Sequence, residues 1–134
     1  MNLTARHTLL IDAAATTATA VLMLAGRNLL YPYFGLTSPL LLDVTAIAFV
    51  VYAAVITMAA RSSEVSRAAV LTTAAANVGY VLASAAVLIV FWSELLPVGR
   101  TLIIAVALAV EAFATLQFSA VRSSAQPAAA LPSR

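Results

Sequence analysis

Apolar residues fall along this chain in four long runs, at about residues 9–30, 40–60, 68–92 and 101–121. A hydrocarbon core about 30 Å thick takes roughly 20 apolar residues of helix, so each run predicts one membrane-spanning helix. Helices are expected because a four-stranded sheet would leave its edge N–H and C=O groups unpaired in lipid. Charged positions do not stripe the runs at helical spacing, as they would in a soluble bundle with one wet face. Pro32, Pro39, Pro97, Pro127 and Pro132 all lie outside the runs. Ser38 followed by Pro39 reads as an N-cap with Pro at the first helical position, and Pro97 with Gly99 marks the turn before the last run.

The pattern therefore predicts an all-α fold: a four-helix transmembrane bundle over residues 1–122, with a Ser-, Ala- and Pro-rich tail at 123–134 expected to be disordered. Asp12 and the Thr16, Thr17, Thr19 group dilute the first run, which is accordingly expected to stay in the chain rather than be cleaved as a signal peptide. Arg6, Arg61, Arg67, Arg122 and Arg134 share one side of this topology, against Arg27 and Arg100 on the other. By the excess of positive charge, both termini are expected in the cytoplasm. Tyr31, Tyr33, Phe34, Phe91 and Trp92 fall at the outer helix ends, where amphipathic rings favour the headgroup level.

Composition sharpens this picture. The 134 residues are 63% hydrophobic and 9% charged, against roughly 45–50% apolar and about 25% charged in soluble domains. A net charge of +2, without clustered Arg, gives no footing for nucleic acid. With no Cys, disulfides, thiol redox chemistry and thiolate metal sites are excluded. His7 is the single His, so a two-His haem or His-rich metal site is unavailable within one chain. No Ser–His–acid set, His-Glu-x-x-His run or Gly-rich phosphate loop occurs. The expectation is a non-enzyme with no cofactor and no metal. The uninterrupted runs also weigh against transporters that bind substrate at unwound helix midpoints.

What chemistry there is lies in a few polar groups inside the runs. Glu111 stands at the centre of the fourth, where a charged side chain costs roughly 2.5–3.5 kcal/mol on insertion scales. Taking a proton removes most of that cost. Glu111 then reads either as a proton- or cation-binding group or as a carboxyl hydrogen-bonded across helices. Thr73, Asn77, Tyr80 and Ser84 share one face of the third helix. Asp12, Thr16 and Thr19 share a face of the first, with Asp12 expected near the inner surface, paired with Arg61 or Arg122 or meeting water. An interior polar seam of Thr16, Thr19, Tyr52, Asn77, Tyr80 and Glu111 is expected, with Ser84 on the same line. Such a seam serves as a binding site or only as interhelical bonding, and Thr often bonds its own backbone. Arg27 and Asp43, flanking the first outer connection, are expected to form an ion pair that clamps the hairpin. Ala75, Gly79 and Ala83 form a small-residue ladder that admits a close neighbour, either the small Ala13–Ala20 segment or a second copy of the chain.

The segments Phe34-Gly35-Leu36, Tyr52-Ala53-Ala54, Asn77-Val78-Gly79-Tyr80-Val81-Leu82-Ala83-Ser84 and Phe113-Ala114-Thr115-Leu116-Gln117 resemble a family of uncharacterised small four-helix inner-membrane proteins of proteobacteria. The resemblance spans the second to fourth helices and implies the four-helix fold. It fits at Asn77, Ser84 and Gln117, whereas that group commonly carries Trp where Tyr80 stands and an apolar residue where Glu111 stands. No activity comes with it. The small multidrug exporters share four helices and one membrane carboxylate, but theirs is a Glu in the first helix, where this chain has Asp12. The functional expectation is an accessory or scaffold subunit of the bacterial inner membrane, or a self-associating bundle, with the bilayer and a membrane protein as partners. The alternative is a small proton-coupled transporter or channel subunit.

Overall fold

A computed structural model describes residues 3–125. Its helices are α1 (Leu3–Leu30), α2 (Leu40–Arg61), α3 (Arg67–Val90) and α4 (Pro97–Ala125), with a 3-10 turn at Tyr31–Phe34 after α1. All four helices are long and apolar enough to cross a membrane. The outer surface matches that solvent: Ile89 is 79% exposed, Met58 74%, Leu22 68% and Leu108 67%. In water that surface would be a severe aggregation liability, whereas in lipid it costs nothing. The chain is thus a small multi-pass membrane protein by fold and composition.

Local chemistry sets the helix ends. The Ser66 hydroxyl accepts the Ala69 N–H at 3.1 Å, capping α3. At the start of α2 the Leu40 N–H donates to the Ser38 hydroxyl at 3.2 Å, but Pro39 rather than Ser38 stands at the N-cap and the helix begins at Leu40, one residue later than expected. Pro97 is the first residue of α4, not part of a turn preceding it, because proline's fixed φ and missing N–H suit the first helical position. At its other end α4 runs on to Ala125, into the segment expected as tail; residues 126–134 lie outside the described residues.

The helices pair as two hairpins, α1 on α2 and α3 on α4, with α1 also meeting α4; α2 and α3 approach each other little. At the end that holds the start of α1 and the close of α4, Ala5, Leu9, Ala60, Val65, Val70, Ala120 and Val121 form one buried apolar cluster. Arg6 ties α1 to the α2–α3 connection there, donating to the carbonyls of Ser62 (2.9 Å) and Ser63 (3.3 Å). The two ends of the described chain therefore lie on the same side of the bundle.

At the opposite end the α1–α2 and α3–α4 connections interlock. Gly35 adopts φ 75°, and a Cβ there would run into the Glu94 carbonyl oxygen. A Cβ on Gly99 would come 2.9 Å from both the Phe34 Cα and the Tyr33 carbonyl oxygen. Arg27 Nη1 lies 3.0 Å from Asp43 Oδ2 across the first hairpin. Only one carboxylate oxygen takes part, since Asp43 Oδ1 is buried without a partner. Arg100 donates to the Leu95 carbonyl at 2.9 Å and lies over the exposed Trp92 ring at 4.4 Å.

The ladder of Ala75, Gly79 and Ala83 is exposed, and a Cβ on Gly79 would meet nothing within 4 Å. It therefore does not receive the Ala13–Ala20 segment. α1 is taken up chiefly by α2, its hairpin partner, because a short connection makes antiparallel neighbours of consecutive helices.

Candidate functional site

The four buried faces meet on a carboxyl group, and it is Asp12. Its residue is 1% exposed, and each of the other three helices sends it a polar side chain. From α4, Gln117 Nε2 donates to Asp12 Oδ2 at 2.8 Å. From α3, Asn77 Nδ2 donates to the same oxygen at 2.9 Å and to Gln117 Oε1 at 3.3 Å. From α2, the Tyr52 hydroxyl gives its proton to Asn77 Oδ1 at 2.8 Å, with Asp12 Oδ2 and the Thr73 carbonyl both at 3.4 Å. One turn along α1, Thr16 Oγ1 donates to Asp12 Oδ1 at 3.3 Å. Gln117 is 0% exposed and Asn77 4%. Each buried amide thus has partners for both its carbonyl and its NH2, as burial in a medium without water demands.

This corrects the expected depth and partners of Asp12. It bonds neither Arg61 nor Arg122 and is buried within the bundle rather than set at its surface. Its partner Asn77 stands ten residues beyond Arg67, the first residue of α3, close to the middle of that helix. Counting depth from the start of the apolar run misleads because α1 begins at Leu3 rather than near Leu9, which puts Asp12 nine residues inside its helix, much as Asn77 stands ten inside α3.

The second correction concerns Glu111, which is exposed on the outer side of α4 and has no hydrogen bond or ion pair among the described residues. The inward side of α4 carries Val110, Phe113, Ala114, Gln117, Ala120 and Val121. A helix turns about 100° per residue, which swings Glu111 away from the side that Val110 and Ala114 share. Glu111 therefore does not join the seam, and Gln117 takes the place on α4 assigned to it. Depth alone nominates Glu111. The spacing of Phe113, Gln117 and Ala120 would have selected Gln117, as would the family resemblance.

The remaining predicted residues, Ser84 excepted, come together. A cavity of about 270 Å³, partly open, lies among all four helices beside the Asp12 cluster. Thr16 and Thr19 of α1, Tyr52 of α2, and Asn77 and Tyr80 of α3 line it, with Phe49 and Phe113. The Phe49 and Tyr80 rings meet edge to face, with centroids 5.4 Å apart, and so hold the gap between α2 and α3 with side chains rather than backbone. Thr19 spends its hydroxyl proton on the Ala15 carbonyl at 2.9 Å. Thr73 does likewise on Ala69 at 2.9 Å. Ser84 is buried one turn beyond Tyr80 but does not line the cavity.

Chemically the site offers a dry carboxyl, reached through the hydroxyls of Thr16 and Tyr52, next to an apolar chamber with aromatic walls. Among the described residues, no three His, Cys, Asp or Glu side chains gather as a metal-holding group. Comparison of the chain with protein-family models, with curated proteins and with solved structures gave no match.

Proposed function

We propose that this is a non-enzymatic membrane protein that binds a small ligand in the cavity between its hairpins, with Asp12 as the group that couples occupancy to protonation. The observation carrying this reading is the juxtaposition of a 270 Å³ cavity with a buried carboxyl on which all four helices converge. A seam serving only as packing would not need an open chamber at its side. In this reading the protein is a small proton-coupled transporter or channel subunit, or a membrane-embedded receptor, and the mid-membrane carboxyl concerned is Asp12 rather than Glu111. Thermal unfolding of the full chain in mild detergent, against a panel of small amphiphiles, tests it. A ligand that binds the folded state raises the midpoint by mass action. The rise should vanish in Ala109→Phe, which fills the cavity from α4. If no compound moves the midpoint of the unaltered protein, the reading fails.

A second reading, an accessory or self-associating subunit, draws support from the outer face. Glu111, Ala75, Gly79 and Ala83 are all exposed on the α3–α4 hairpin, where lipid offers a carboxyl no partner. Cross-linking in native membranes should capture a dimer or a complex with a larger membrane protein, and strictly monomeric behaviour would count against it. We further propose that the protein sits in a bacterial inner membrane with both termini cytoplasmic, in keeping with the proteobacterial resemblance. The support is that Arg6, Arg61, Arg67 and Arg122 cluster at the end opposite Arg27 and Arg100. A fluorescent protein fused after Arg134 should light up only if that end is cytoplasmic.

A further inference from the structure

We propose that the cavity's ligand is a lipid-soluble organic cation that exchanges for the proton of Asp12. This deepens the binding reading above and rests on it. The first ground is the hydrogen-bond ledger of the wall. Asn77 spends its NH2 on Asp12 and Gln117, Tyr52 its hydroxyl proton on Asn77, Thr16 on Asp12 and Thr19 on Ala15. Those groups face the chamber with oxygen lone pairs rather than free N–H or O–H donors, and the one other polar side chain on the wall, the Tyr80 hydroxyl, pairs with Ser84. An anion would find at most the Tyr80 hydroxyl to hold it, and no cationic side chain.

The second ground is charge. No Arg or His lines the cavity. Around Asp12, α1 contributes Thr16, α2 Tyr52, α3 Asn77 and Thr73, and α4 Gln117. Tyr52 is the only titratable side chain among them, so the carboxyl has no cation of its own. Its negative form is held by donors but not neutralised, and an uncompensated charge in an apolar interior is costly. A ligand cation in the chamber would supply the missing charge in place of a proton. The third ground is the walls: Phe49, Tyr52, Tyr80 and Phe113 present aromatic rings, whose faces attract cations most when water is excluded. A neutral ligand would gain burial alone. In the exchange the Asp12 O–H bond breaks, its proton leaves to water, and the cation in the adjoining chamber balances the charge left on the carboxylate. No other reactant is needed, and the charge of the bundle with its ligand is unchanged.

The test uses the full chain in lipid nanodiscs and two probes of one shape: an aryl-alkyl quaternary ammonium and the neutral isostere with carbon in place of nitrogen. Calorimetry should show the ammonium binding at least about tenfold tighter. Binding should release one proton, read with an indicator dye in weak buffer, and should weaken on acidification. Asp12→Asn should abolish the preference for the cation. The isostere comparison and the proton count are made on the unaltered protein, so they stand even if that variant does not fold. Equal binding of both probes without proton release overturns the cation proposal and leaves the cavity reading in place. Binding of neither overturns both.

Discussion

Asp12 and Glu111 are two carboxyls within membrane-spanning helices, and the regions around them differ in kind. Around Asp12 the chain assembles donors from all four helices and excludes solvent almost completely. Around Glu111 no such set forms: the side chain lies on the outer face of α4, among exposed Leu108, Ala112 and Thr115 of its own helix. An acid inside a span is thus not by itself a marker of a site. What distinguishes the two is whether neighbouring helices contribute polar groups toward it, since in lipid a polar group oriented inward must be matched by another.

The comparison can be broken by substitution, read as unfolding free energy in detergent or bilayer. The largest effect is expected from Asp12→Leu, which takes the shared acceptor from Asn77, Gln117 and Thr16. It should destabilise the bundle by roughly 2–4 kcal/mol, two buried amides being left short of a partner. Gln117→Leu, which removes one donor and keeps the rest, should cost about 1–2 kcal/mol. Gly99→Ala should fall in a similar range, about 1–3 kcal/mol, because its Cβ must displace the backbone at Tyr33 and Phe34. Arg27→Ala should cost only about 0.2–1 kcal/mol, the pair being single-bonded and the Arg half exposed. Glu111→Leu should change stability least, by less than about 0.5 kcal/mol, for lipid faces that position before and after folding alike. A Glu111→Leu loss as large as that of Asp12→Leu would erase the distinction.

The sequence shows the helices plainly and their faces only in part. Run length and proline position are one-dimensional signals, and they place the helices close to their observed bounds. The exceptions are at ends such as Leu3 and Pro97, where polar or turn-forming residues also sit comfortably in a helix's first turn. Side-chain direction needs the helix phase. On α3, where Thr73, Asn77, Tyr80 and Ser84 repeat at helical spacing, the polar residues themselves reveal the inward side. On α4 the polar residues Glu111 and Gln117 point in different directions, and an apolar background of Ala, Val and Leu on every side gives little contrast by which to choose. Depth fails at Asp12 for a related reason: hydropathy marks where the apolar run begins, not where the helix begins, and α1 starts at Leu3, ahead of its run. The cavity left no trace in sequence, because it arises from how far α2 and α3 stand apart.

Because the chain contains no Cys, single cysteines at 111 and 117 can be spin-labelled and their collision rates with dissolved oxygen compared in lipid vesicles. The account predicts frequent collisions at 111, on the lipid side of α4, and rare ones at 117, inside the seam. High oxygen access at 117 with shielding at 111 would contradict it and return Glu111 to the interior.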